Sequence, residues 1–424
     1  MQMLDRKQEI PFQQINMPNF IHPKELTLDN GLQVFMMEGG GQQLCRLDLV
    51  FEAGSKVQYK ALQASLCNAL LLEGTSEKSG QEIHESLDFY GAYTQLDLHS
   101  DRATVSLFTL NQYFDQVLPI FIDAIKNAVF PKDAFDVILA QKSQSFKINS
   151  EKVEFTARNT FFQTIFEGHP YGYTVSQKDF ELISRQDLVD FHHQFYKNAV
   201  LKIYMAGMIP DRTETILNKY LGNWNLKSST QKAVYNAKAK GDKIHVKKSR
   251  AMQSAIRIGR VCFNTKHPDY QPLKFLSVIL GGYFGSRLMT NIREDKGLTY
   301  GIGAVCVQQE ESGYFSISTE VKGDATDVAL KEIYYELRRL REEIIPEEEL
   351  SLVKNYMMGQ ILKSADGPFA QVGLLKNMHL QGVGFEFYQS YQTMLNQING
   401  LVLKDLANKY LKEEDLCEVV VGTI

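Results

Sequence analysis

Residues 183–209 read ISRQDLVDFHHQFYKNAVLKIYMAGMI, and residues 398–424 read INGLVLKDLANKYLKEEDLCEVVVGTI. The two segments align without a gap, and the offset is 215 residues at both ends. Each segment predicts an amphipathic helix, a turn and an apolar strand. The identical pairs are Ile183 and Ile398, Leu188 and Leu403, Asp190 and Asp405, Lys197 and Lys412, Leu201 and Leu416, Gly207 and Gly422, and Ile209 and Ile424.

This repeat predicts a duplicated chain with two similar domains. The alternative is chance, because any two helix-strand units resemble one another. The length of 424 residues also suits two domains of roughly 200 residues each. We therefore predict an N-terminal domain over residues 1–224, a polar and basic linker over 225–250, and a C-terminal domain over 251–424.

Strand and helix patterns alternate within the first half of the chain. Asn30-Gly31 predicts a hairpin turn between two short strands. An amphipathic helix is predicted over residues 80–89 and a strand over 103–110. Because strands and helices mix in each half, the predicted fold class is α+β.

Composition limits the partners and the location of the protein. The formal net charge of −4 gives no general attraction to nucleic acid or to anionic lipid. Residues 1–20 lack the apolar run of a secretory signal, and no segment reaches the apolar length that spans a membrane. The five cysteines show no paired spacing, which is typical of reduced thiols. We therefore predict a cytoplasmic protein without nucleic-acid or membrane partners.

Residues 51–75, FEAGSKVQYKALQASLCNALLLEGT, resemble the zinc-site region of the pitrilysin/insulinase-type zinc peptidases. In these inverzincins, which include the mitochondrial processing peptidase-like branch, the pattern is Gly-Ser, a spacer, His-x-x-Glu-His on a helix, and Gly-Thr. Gly54-Ser55 and Gly74-Thr75 match the two flanks. The resemblance implies two homologous domains, each a mainly antiparallel sheet covered by helices.

The positions inside this motif have lost the residues of zinc catalysis. Ser65 and Ala69 stand where active members carry the two histidine ligands, and Asn68 replaces the glutamate that activates water. The remaining ligand would fall near Gln144, and residues 131–150 contain no glutamate. The resemblance therefore implies no catalytic residue and no metal or other cofactor in this chain, with zinc expected in a partner subunit.

Three other features near these motifs have structural interpretations. Cys67 lies inside the degenerate motif, and a lone cysteine on an apolar helix indicates a core residue rather than a metal ligand or nucleophile. His192 and His193 point about 100° apart on a helix, so they do not favour a shared metal, and we predict His193 in solvent or at a cap. His169-Pro170-Tyr171-Gly172 also resembles a family landmark, which we interpret as a helix-ending turn.

Residues 280–300, LGGYFGSRLMTNIREDKGLTY, resemble the non-catalytic half of the same family. The family's arginine and tyrosine, here Arg293 and Tyr300, reach across to the zinc-bearing domain and bind the substrate backbone. Both side chains donate hydrogen bonds, which suits a carbonyl oxygen that gains charge during hydrolysis. The alternative is that Arg293 pairs with Glu294 or Asp295 on a surface helix and that Tyr300 merely starts a strand.

The combination predicts a non-catalytic, peptide-binding subunit of a heterodimeric zinc metallopeptidase. A homologous zinc-bearing chain would be its partner, although a homodimer in isolation is left open. Active members carry Asn-Ala on the edge strand that receives the peptide, whereas residues 91–95 here read GAYTQ, which disfavours peptide pairing along this edge. One alternative is a structural or assembly protein without proteolysis. Another is a peptidase with unconventional ligands.

Overall fold

A computed structural model describes residues 17–197, 200–224, 241–249 and 251–423. In the first half, the described strands are β1 Lys24–Thr27, β2 Gln33–Glu38, β3 Leu44–Phe51, β4 Tyr93–Leu98, β5 Ala103–Leu110 and β6 Val200–Gly207. The helices are α1 Gln63–Ala69, α2 Gly80–Phe89, α3 Phe114–Lys126, α4 Lys132–Ser150, α5 Val153–Ile165, α6 Asp179–Leu182, α7 Arg185–Phe195 and α8 Thr213–Leu221.

The second half contains the same kinds of element in a similar order. Its strands are β7 Lys243–Lys247, β8 Gln253–Cys262, β9 Ile302–Gln308, β10 Gly313–Lys322 and β11 Cys417–Gly422. Its helices are α9 Tyr270–Gly281, α10 Thr326–Glu342, α11 Glu347–Ser364, α12 Gly367–Gln381, α13 Glu386–Gln397 and α14 Gly400–Tyr410, and a π-helix covers Met289–Asp295.

The two sheets share one topology, which confirms two homologous α+β domains. The first sheet has the order β1-β2-β6-β3-β5-β4, and the second has the order β7-β11-β8-β10-β9. In both sheets one pair is parallel, β2 with β6 and β7 with β11, and the following pairs are antiparallel. Strand β1 is an addition at the edge of the first sheet. Helices α7 and α14 both begin and end 215 residues apart, as the sequence repeat predicts.

The segment predicted as a linker over 225–250 includes a strand. Lys243–Lys247 form β7, which pairs in parallel with β11, while residues 225–240 and 250 lie outside the described residues. Ile244 and Val246 point to one face of this strand and pack against a buried apolar cluster. Their period of two is hard to detect among lysines, because only two apolar residues carry it. Residues 243–247 therefore belong to the second domain and not to a linker.

Each domain buries one face of its sheet under its own helices and the other face under a helix from the other domain. Helix α5 lays Val153, Ala157 and Phe161 against Val419 and Val421 of the second sheet. The spacing of four residues puts these α5 side chains on one stripe.

Helix α12 makes the reciprocal contact on the first sheet. Its Val372, Leu375 and Met378 pack with Phe35 and Tyr204. Full burial of side chains of this size contributes about 1.5–3 kcal/mol each. The two domains are therefore joined through apolar cores on both sides, and not only through the connecting segment. Among the described residues, no helix has the length and apolar character needed to cross a membrane.

Candidate functional site

The degenerate zinc motif lies on α1, which packs beside α7 and the edge strand β4. Asn68 is buried, and its Oδ1 accepts a hydrogen bond from the Tyr196 hydroxyl at 3.2 Å. The Tyr196 ring is buried, and its centre lies 4.9 Å from the centre of the Phe51 ring. Ser65 uses its hydroxyl to donate to the Leu62 carbonyl at 3.3 Å. The polar side chains of the motif are thus engaged in internal hydrogen bonds of the first domain.

These residues do not fit a catalytic zinc ion. Such a site needs about three protein ligands, and neither the Ala69 methyl group nor the Asn68 amide bonded to Tyr196 supplies an imidazole or a thiolate. Gln144 on α4 is exposed. Within the described ranges, no three side chains of His, Cys, Asp or Glu are grouped so that they could hold a metal ion.

Cys67 and His193 take the structural roles predicted for them. Cys67 is fully buried, and burial raises the pKa of its thiol well above the usual value, which confirms a core residue. His192 is also buried, its Nε2 lies 2.7 Å from the Ile125 carbonyl oxygen, and burial lowers its pKa to about 4. His193 is exposed, which confirms its predicted place in solvent.

The turn at His169-Pro170-Tyr171-Gly172 does more than end α5, and the sequence interpretation missed this role. His169 Nε2 lies 3.0 Å from Glu311 Oε2 in the second domain. The Tyr171 hydroxyl donates to Asp101 and accepts from the Glu311 backbone N–H. The turn therefore connects the two domains.

Lys56 lies at the centre of the same group of charges, which we call the interdomain ion cluster. Its Nζ is 2.9 Å from Asp101, 2.8 Å from Glu310 and 2.9 Å from Glu311. Arg102 adds ion pairs to Glu310 at 2.6 Å and to Glu52 at 2.7 Å. Burial disfavours the ammonium of Lys56, but the surrounding carboxylates outweigh burial and raise its pKa. The Gly54-Ser55 flank of the motif thus leads directly into a domain contact.

The structure places Arg293 on the π-helix and Tyr300 two residues before the edge strand β9. The Arg293 guanidinium carbon lies 4.5 Å from the centre of the Phe284 ring. In the described part of the chain, Arg293 forms no ion pair with Glu294 or Asp295. Tyr300 is 95% exposed. The described residues thus lack the ion pair that the surface-helix alternative requires of Arg293, whereas Tyr300 precedes a strand, which is also compatible with that alternative.

A partly buried polar network supports the π-helix. The Asn291 side-chain amide donates to Glu336 at 2.7 Å and to Glu332 at 3.2 Å. The Lys296 ammonium donates to Asn291 Oδ1 at 2.5 Å and lies 3.2 Å from Glu332. A run of π-helix is rare and is frequent at functional sites. The network fixes the backbone from which Arg293 extends.

A cavity of about 340 Å³ opens beside Tyr300. It lies where α5 of the first domain meets β8 and β10 of the second, so both domains line it. Its wall combines apolar residues such as Ala255 and Ile256 with charged and hydroxyl-bearing residues. The charged and hydroxyl-bearing residues are Glu154, Arg257, Thr299, Tyr300, Ser318, Thr319 and Glu320.

Comparison with known protein families accounts for most of the chain. Residues 34–179 match the family model described as Insulinase (Peptidase family M16), and residues 182–357 match the one described as Peptidase M16 inactive domain. Among curated proteins, the chain is 24% identical over 381 residues to the Non-peptidase homolog YmxG of Helicobacter pylori, covering 86% of this chain and 85% of the relative. It is 20% identical over 388 residues to the Uncharacterized zinc protease YmxG of Bacillus subtilis, covering 90% and 93%.

Solved structures share the fold. A peptidase M16 inactive domain from Pseudomonas fluorescens superimposes with a TM-score of 0.86 at 23% identity, covering 95% of this chain and 98% of that chain. A protease from Helicobacter pylori superimposes with a TM-score of 0.84 at 20% identity, covering 95% and 100%.

Proposed function

Because this chain belongs to the insulinase-type M16 peptidase family and lacks that family's zinc ligands, we propose that it is the peptide-binding, non-catalytic subunit of a heterodimeric zinc peptidase. The partner would be a homologous chain with an intact His-x-x-Glu-His motif, and its zinc ion would activate the attacking water. This chain would complete the chamber that holds the peptide.

The state of the Arg293 and Tyr300 pair carries this proposal. A guanidinium stacked on the Phe284 ring keeps its N–H groups available, and a tyrosine that is 95% exposed presents its hydroxyl to whatever lies opposite. A structural pair would be buried or bonded to neighbouring carboxylates. Arg293 extends from the π-helix that the Asn291 network holds, and the Thr299 hydroxyl holds the backbone next to Tyr300. Such preorganisation is what binding to a developing oxyanion requires.

The fold gives these donors a surface where an extended peptide can lie. Strands β4 and β9 each lie at one of the two edges of their sheet, and each leaves one row of backbone groups unpaired within the described residues. An unfolded peptide adds readily to such an edge by backbone hydrogen bonds. Residues 91–95 disfavour this pairing at β4, so the partner's sheet would receive the peptide and Arg293 and Tyr300 would face it.

The degenerate motif supports the proposal that the partner carries out catalysis while this chain binds the peptide. The Asn68 amide bonded to Tyr196 has no useful basicity near neutral pH, and no ligand set stands near it in the described residues. The five cysteines are free thiols, which suits the reducing cytoplasm where we place the complex.

Reconstitution tests the proposal directly. Peptide cleavage would be measured for the purified chain, for a zinc-bearing homologue from the same organism, and for their mixture, each with and without a chelator. We expect chelator-sensitive cleavage in the mixture at a rate well above the sum of the separate chains. Equal rates in the mixture and in the homologue alone would contradict the proposal and favour a structural or assembly role.

A further inference from the structure

The cavity beside Tyr300 occupies the part of the second sheet that α5 leaves uncovered. Alternate residues of β10, including Tyr314, Ser318 and Glu320, face the side on which α5 packs, since Tyr314 lies 5.0 Å from Phe162 of that helix. Near the beginning of α5, at Glu154, the helix no longer covers the strand. Ser318 and Glu320 therefore line an open cavity and not a packed core.

A network of hydroxyl groups fixes Tyr300 beside Glu320. The Thr299 hydroxyl donates to the Glu320 carbonyl at 2.7 Å, and the Thr319 hydroxyl donates to the Gly301 carbonyl at 3.0 Å. The two threonine hydroxyls are also 3.0 Å apart. These bonds hold the backbone on both sides of Tyr300 against β10. The exposed phenol ring and the Glu320 carboxylate are thus kept at the same opening.

The charges in the cavity leave one carboxylate in excess. The Arg257 Nη2 lies 2.6 Å from Glu154 Oε1, so these two charges compensate each other. Glu320 is exposed and has no ion-pair partner among the described residues. The Tyr300 ring adds the negative face that attracts cations. The cavity therefore favours a positively charged group.

The volume is sufficient for a single long side chain. Pockets for whole small molecules are about 300–1,000 Å³, and this one, at about 340 Å³, is at the low end and open to solvent. A long side chain can lay its aliphatic stem along an aromatic ring while its charged end reaches a carboxylate.

We propose that this cavity binds a lysine or arginine side chain of the bound peptide, with the cation at Glu320 and the stem along Tyr300. The inference rests on the proposed peptide-binding function and adds the class of residue that is recognised. Ser318, whose side chain lines the same wall, would accept a further hydrogen bond from the cation.

Direct binding of labelled peptides to the full chain tests this site. The probes are two short unstructured peptides that are identical except for one central residue, lysine in one and norleucine in the other. Fluorescence anisotropy should show that the lysine peptide binds about tenfold more tightly, the size expected for one charge-assisted hydrogen bond. In Glu320→Gln the preference should disappear while the norleucine peptide binds as before. In Glu320→Lys a glutamate peptide should become the preferred one.

Glu348→Gln is the matched control, because Glu348 is an exposed carboxylate at the beginning of α11, and it should keep the preference for lysine. If both peptides bind the wild-type chain equally, the cavity does not recognise a cation and the inference is wrong, although peptide binding itself stands. If neither peptide binds to this chain, either alone or in its reconstituted complex with the zinc-bearing homologue, both the inference and the peptide-binding function are wrong.

Discussion

The Lys376 ammonium lies 2.7 Å from Asp48 Oδ2, although the two residues belong to different domains and are 328 positions apart. Asp48 is fully buried in β3, and Arg46 bonds the same carboxylate at 2.7 Å and 2.8 Å. Burial opposes the charge on Asp48, but Lys376 and Arg46 outweigh it and hold the pKa of Asp48 below its usual value. This ion pair lies directly beneath α12, where the second domain covers the first sheet.

Replacing Lys376 by methionine should therefore loosen the contact between the domains. The variant keeps the aliphatic volume but leaves Asp48 buried with Arg46 alone. Removal of one partner from a buried ion pair costs about 3–5 kcal/mol, and the remaining arginine should reduce the loss to about 2–3 kcal/mol. The free energy of unfolding in urea measures it.

Lys331→Met is the control for that variant, since Lys331 is exposed on α10 and its replacement should change stability by less than about 0.5 kcal/mol. The direction in which stability changes with pH follows from the lowered pKa of Asp48. Its stabilisation is complete above the unfolded pKa of about 3.9 and is lost only as pH falls through the lower folded value. If the wild type lost its higher stability relative to Lys376→Met already at pH 6, this assignment would be wrong.

The buried imidazole of His192 should make the protein less stable in mild acid. Burial lowers its pKa from 6.5 to about 4, so the folded chain holds the ring neutral while the unfolded chain takes up a proton. The free energy of unfolding is therefore highest above pH 6.5, where the ring is neutral in both states. It decreases progressively as pH falls to about 4. The shift corresponds to about 3 kcal/mol at most.

Thermal or urea unfolding at several pH values measures this loss. His192→Gln retains an N–H donor toward the Ile125 carbonyl but does not titrate, so its stability should depend less on pH between 6.5 and 4. His193→Gln on the same helix is the matched control, because the His193 ring is exposed. Parallel pH profiles of wild type and His192→Gln would show that the assignment is wrong.

Local patterns predicted much of this fold. The helix over Gly80–Phe89 and the strand over Ala103–Leu110 have the predicted bounds, because each has a clear period and a clear end. The duplication was also visible, since α7 and α14 retain identical residues at a constant offset.

Contacts between distant residues could not be predicted in this way. Lys56 and Glu310 are 254 positions apart, and no local period relates them. For the contact between Asp48 and Lys376, the sequence carries one signal. Asp48 is a charged residue within the apolar strand LCRLDLVF, and a charge in a buried strand requires a partner. That signal indicates that a partner exists, but it does not identify Lys376. Topology decides which of many cations is close enough.

We expect helix α1, which carries the degenerate zinc motif, to contribute to stability through the hydrogen bond between Asn68 and Tyr196. Asn68→Ala leaves the buried tyrosine hydroxyl without a partner, and we expect a loss of about 1–3 kcal/mol. A double-mutant cycle with Tyr196→Phe should give a coupling energy of about 1 kcal/mol. Ser65→Ala is the control, because its half-buried hydroxyl bonds only a carbonyl of the preceding turn, and it should cost little. Additive losses in the cycle would mean that the two side chains do not interact.

Arg293→Ala should lower the turnover number of the reconstituted complex by about 100-fold while KM changes little, since a donor aimed at a developing oxyanion acts mainly in the transition state. Arg293→Lys keeps the charge but lacks the planar guanidinium group, so it should recover only part of the turnover number that Arg293→Ala loses. Arg338→Ala is the control, because Arg338 lies on α10 with only a loose contact of 3.8 Å to Glu413. Unchanged turnover in Arg293→Ala would remove this residue from the substrate site. A loss seen equally in Arg338→Ala would point to misfolding, because a surface arginine away from the site has no oxyanion to stabilise.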